Sequence, residues 1–92
     1  MQKHQGRDAM STAIMEAQLR AALDTDLELA KRGCRTRFHH PSGVGVEFKS
    51  TEVGVWHWTN GRFELLVDGK GPVVSVDTVA EATRYTRESL SG

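Results

Sequence analysis

Residues 54–66 read GVWHWTNGRFELL, and the way this stretch divides decides the fold. Asn60-Gly61 is a strong hairpin signal, because both central positions of a type I′ turn need positive φ. With these two residues at the turn, Thr59 faces Arg62, Trp58 faces Phe63, His57 faces Glu64, Trp56 faces Leu65 and Val55 faces Leu66. Side chains alternate between the faces of a strand. One face of the hairpin therefore collects Trp56, Trp58, Phe63 and Leu65. The other collects Val55, His57, Glu64 and Leu66.

Working backwards, the period of two continues. CRTRFHH (34–40) and VGVEFKS (44–50) alternate apolar and polar residues, separated by Pro41-Ser42-Gly43 and by Ser50-Thr51-Glu52. Three-residue loops at those two places put Phe38 opposite Val46, Arg37 opposite Glu47, Val46 opposite Trp56 and Glu47 opposite Val55. The registers agree on one apolar face of Phe38, Val44, Val46, Phe48, Trp56, Trp58, Phe63, Leu65 and Val67, with Gly54 leaving room for a helix to approach. Beyond the hairpin, GKGP breaks the chain and VVSV supplies a short fifth strand or extended segment.

Helical segments flank the meander. Residues 11–33 (STAIMEAQLRAALDTDLELAKRG) are rich in helix formers, with Ser11 or Thr12 as the cap and Gly33 as the C-terminal stop. Leu19, Leu23, Leu27 and Ala30 form its apolar stripe, with Met15 and Ala22 beside them. Residues 75–90 (SVDTVAEATRYTRESL) close as a second helix capped by Ser75 or Asp77, with a weaker stripe of Val76, Val79, Ala80, Thr83 and Leu90. The expectation is an α+β domain over residues 11–92: a helix, an antiparallel meander of four or five strands and a second helix, both helices on one sheet face. Residues 1–10 read as a disordered lead-in, and either Met1 or Met10 serves as the native start.

Composition narrows the function classes. Twelve basic and twelve acidic residues cancel, so the chain lacks the positive footprint usual in nucleic-acid binders and has little charge repulsion between copies. No apolar run is long enough to span a membrane. The lone cysteine, Cys34, fits a small hydrophobe in a reducing compartment, the cytoplasm. His39 and His40 are neighbours on a strand and point apart, and no spacing resembles a zinc site. No catalytic set, metal or cofactor is expected.

The order helix, meander, helix resembles that of double-stranded RNA-binding domains. SVDTVAEA stands where that family carries its basic cluster, and Asp77 and Glu81 there oppose phosphate. Residues 33–43 (GCRTRFHHPSG) are similar to a short hairpin of HicA-type mRNA interferases, with Arg35 at the position of that family's catalytic histidine. Neither resemblance carries an activity to this chain.

The outer sheet face remains as the candidate functional surface. Val53, Val55, His57, Glu64 and Leu66 are its expected partner or dimer surface, with an apolar strip inside a charged border. The leading expectation is a non-enzymatic module binding a protein partner or itself. The alternative is a nucleic-acid contact through Arg35, Arg37, Lys49 and Arg62. A third arrangement places His57 and Glu64 beside Gly45 with His39 beyond, as a small acid–base notch.

Overall fold

A computed structural model describes residues 2–68 and 70–90, with side chains from residue 11 onward. The elements are α1 (Gln2–Thr25), α2 (Leu27–Lys31), β1 (Cys34–Phe38), β2 (Val44–Phe48), β3 (Thr51–Thr59), β4 (Arg62–Leu66), β5 (Val74–Val76) and α3 (Val79–Tyr85). A π-helical turn, Thr86–Leu90, follows α3. The strands form one antiparallel sheet in the order β1-β2-β3-β4-β5. The VVSV segment is therefore an edge strand, with Val76 opposite Phe63 and Val74 opposite Leu65. The helices lie on one face of the sheet, as expected of a two-layer α+β chain. Among the described residues no helix is long and apolar enough to cross a membrane.

The first helical segment departs from its expected outline at both ends. α1 begins at Gln2, so neither Ser11 nor Thr12 caps it; the lead-in expected over residues 1–10 falls on side chains outside the described residues. At the other end the helix breaks at Asp26. Asp24, Thr25 and Asp26 are poor helix formers whose side chains compete for backbone partners. The Asp26 carboxylate accepts the Leu29 N–H at 3.0 Å and caps α2 as a new helix. That amide bond, with Arg87 alongside at 3.0 Å, holds the Asp26 pKa below its ordinary value. The break changes the helical phase. Leu27 is 78% exposed and Leu29 is fully buried, so the apolar stripe passes from Leu19 and Leu23 to Leu29. Gly33, at φ +79°, ends α2 as expected.

The β3–β4 register agrees at all five pairs from Val55–Leu66 to Thr59–Arg62. The other two registers are each displaced by two residues. Val44 stands opposite both Phe38 and Trp56, and Gly45 opposite both Arg37 and Val55. The first connection is a longer loop, 39–43, rather than Pro41–Gly43. The second is a two-residue turn, Lys49-Ser50, both at positive φ, rather than Ser50–Glu52. A bulge between Val46–Gly54 and Glu47–Glu52 makes Val53 the extra residue on β3. A slip of two preserves the face of each side chain, so the expected separation of faces survives up to the bulge; beyond it the offset is three, and Val53 turns toward the core margin.

The core joins Val44, Val46, Trp56, Phe63 and Leu65 of the sheet to Leu19, Leu23, Leu29 and Ala82. Trp56 is its centre. Its ring meets Phe63 and Tyr85 edge-on, and its indole N–H donates to the buried Thr86 Oγ1 at 3.0 Å. Trp58 and Phe48 are only half-buried, and Phe38 is 45% exposed at the sheet edge. Gly54 admits Leu65 from the neighbouring strand rather than a helix: a Cβ there would lie 2.9 Å from Leu65 Cδ1. The cap of α3 is Thr78, not Ser75 or Asp77. Thr78 Oγ1 accepts the Glu81 N–H, and Glu81 Oε1 accepts from the Asp77 N–H and the Thr78 hydroxyl. The buried stripe runs through Ala82 and Thr83 of α3 and on to Thr86 of the π-helical turn, while Ala80 is exposed.

Glu16 is a buried acid on α1, only 3% exposed. The Gly43 N–H donates to its Oε1 at 2.8 Å, and the Trp58 N–H donates to its Oε2 at 3.0 Å. One carboxylate thus ties α1 to the β1–β2 loop and to β3. Glu16→Ala strands both amides and is expected to lower stability by about 2–4 kcal/mol, read from urea unfolding midpoints at constant m.

Candidate functional site

The outer face of the sheet carries the expected surface residues. Val55 and Leu66 form a cross-strand pair at its middle, and both are half-buried. His57 and Glu64 are the next pair along the same two strands. No hydrogen bond joins them among the described residues, so the expected His57–Glu64 acid–base unit is not formed. Val53, through the bulge, both packs against the core margin and lines the outer hollow.

The histidine that does find a carboxylate is His39. Its Nε2 lies 2.7 Å from Glu52 Oε1. This pair fills the notch that Gly45 leaves: a Cβ on Gly45 would lie 2.7 Å from both of those atoms. Gly43, at φ +125°, makes a second gap. A Cβ there would lie 3.0 Å from His57 Cε1, 3.1 Å from Val55 Cγ1 and 3.2 Å from His39 Cβ. Two glycines thus let His39, Glu52 and His57 lie close over the middle strands. The adjoining hollow, about 310 Å³, is lined by these three residues with Val53, Gly54, Val55, Leu66 and Asp68. Among the described residues no hydroxyl or thiol side chain lines it.

The basic residues of the alternative surface are not assembled into one patch. Arg35 and Arg37 lie on the edge strand β1, and Arg37 pairs with Glu47 at 3.2 Å. Arg62 pairs with Asp77 at 2.9 Å, where β4 approaches the start of α3. Lys49 sits in the β2–β3 turn, at the opposite end of the sheet from the β3–β4 turn beside Arg62. These exposed ion pairs add little stability. Their effect here is to neutralise the border of the outer face.

His40 does not join His39; its ring meets Phe38 edge-on at 4.8 Å. Among the described residues no group of three His, Cys, Asp or Glu side chains is placed to hold a metal. Cys34 is half-buried at the start of β1. Burial, with Asp24 and Asp26 nearby, pushes its thiol pKa from 9.0 up to about 11.

The reading by sequence missed Glu52 and Glu16. Glu52 stood in an assumed loop, and only the shorter turn with its bulge puts it on the outer face. Compared with known protein families, with curated proteins and with solved structures, the chain matches none.

Two outcomes test this geometry. Gly45→Ala is expected to displace the His39–Glu52 pair while the fold holds, since all three clashing atoms lie at the ends of side chains, one on Glu52 and two on the His39 ring. The ¹⁵N signal of His39 Nε2 should then match that of Glu52→Gln; an unchanged signal would show that the pair does not cross Gly45. Native Cys34 should react with DTNB at pH 8 about a hundredfold more slowly than in the urea-unfolded chain, because only the thiolate attacks.

Proposed function

We propose that this chain is a protein-interaction module that pairs with a second copy of itself through the outer sheet face. The observation that carries this reading is the composition of that face. Its middle is the apolar pair Val55–Leu66, and around it Arg37, His39 and Arg62 are paired with Glu47, Glu52 and Asp77. Such a face is cheap to desolvate at its centre and keeps a polar rim, the usual anatomy of an interface. Both signs of charge lie on it, so a two-fold axis can bring each sign to its opposite. A net charge of zero gives copies no reason to repel.

Binding rather than catalysis is supported by the hollow, where the His39–Glu52 pair has no hydroxyl or thiol beside it to activate. Nucleic-acid binding is less well supported, because Arg37 and Arg62 are matched by carboxylates and Lys49 lies at the other end of the sheet from Arg62. The cytoplasm is the proposed compartment, where a lone protonated thiol needs no partner.

Val55→Glu tests the proposal. Val55 is partly exposed and outside the buried core, so the substitution should leave the circular dichroism spectrum intact. Light scattering coupled to size exclusion should give a dimer for the natural chain and a monomer for the variant, since a two-fold contact brings the two new carboxylates together. A natural chain that is monomeric at high concentration, or a variant that remains dimeric, would overturn the assignment.

A further inference from the structure

A second hollow lies on the helix side of the molecule. It occupies the groove between α1 and the β1–β2 loop and has a volume of about 430 Å³, within the range of small-molecule sites. Its walls are Ala13 and Ala17 of α1 facing Phe38 and Pro41, with Thr12, Ser42 and the buried Glu16 also on the lining.

Three features make this more than a surface dip. Phe38 is an aromatic left 45% exposed on the groove wall. His40 meets its ring at an interplanar angle of 84°. The loop that forms this wall is held to α1 by the hydrogen bond that the Gly43 N–H donates to the Glu16 carboxylate, so the groove is built before anything enters it. Arg20 also lines the groove. Its Nε donates over a long 3.4 Å to Thr36 Oγ1, whose hydroxyl is in turn directed to Asp24. Among the described residues no carboxylate lies within ion-pair distance of Arg20. The groove therefore joins an apolar wall to an arginine whose planar fork suits a carboxylate.

We propose that this groove binds a small apolar acid. The hydrocarbon or aromatic body would lie against Phe38, Pro41, Ala13 and Ala17, and the carboxylate would meet the Arg20 guanidinium. Glu16 does not oppose this orientation. Its oxygens accept the Gly43 and Trp58 amides, and Arg20 stands one helical turn further along α1.

The test uses sodium hexanoate as the probe and 1-hexanol as its neutral counterpart, followed through the Ala13 and Ala17 methyl and Phe38 ring resonances of the full chain. Hexanoate should shift these signals saturably and more tightly than hexanol. Arg20→Gln should weaken hexanoate at least about tenfold and leave hexanol unchanged. Phe38→Ala, which removes a half-exposed ring, should weaken both, and serves if Arg20→Gln fails to fold. No saturable shift would overturn the site. Equal binding of hexanoate by the natural chain and Arg20→Gln would overturn the role of the acid group. Shifts of the same signals with protein concentration alone would assign the groove to self-association and overturn the proposal.

Discussion

The indole of Trp56 is the constraint around which the rest of the chain is arranged. A fully buried tryptophan brings a large apolar area into the core, and its N–H needs an acceptor there. Thr86 provides that acceptor from the turn after α3, while its own hydroxyl proton goes to the Ala82 carbonyl. Phe63 and Tyr85 supply edge contacts from β4 and α3. The sheet and the C-terminal helix are thereby docked in one relative position. A residue of another shape at position 56, or without an acceptor at 86, would leave either a void or a stranded donor.

The N-terminal helix is docked by a different device. Leu19 and Leu23 supply apolar contact, which is non-directional and tolerates sliding. The Glu16 carboxylate is directional, and it meets two backbone amides that no strand partner satisfies. This bond also fixes the β1–β2 loop, and so both hollows depend on it. On one side the loop carries His39 to Glu52 over Gly45. On the other it carries Phe38 and Pro41 toward α1. A single buried acid thus shapes both hollows.

How far these features could be read in advance depended on the range of the interaction. The β3–β4 hairpin was legible because Asn60-Gly61 sets its register locally. The core strands were legible because alternation survives a slip of two. The break at Asp26 left a trace in Asp24-Thr25-Asp26, but the continuous leucine spacing masked it. The cap at Thr78 was likewise present in the Thr78–Glu81 spacing and was hidden by competing candidates. Glu16 left no trace, since a glutamate in a helix reads as solvent-facing. The His39–Glu52 pair left none either, because it depends on a two-residue turn and a bulge that place Glu52 beside a loop histidine.

What the sequence by itself determined is the order of elements and the division of the sheet into an apolar and a polar face. Both follow from periods of two and 3.6, which each chain segment carries alone. The tertiary structure decided which charges meet, which glycines are filled by neighbours and which aromatic remains on the surface. Those outcomes depend on loop lengths, a bulge and a change of helical phase, each shifting distant residues by a few ångströms. Hydrogen bonds and ion pairs act over such distances, so they are settled only when the whole chain has packed.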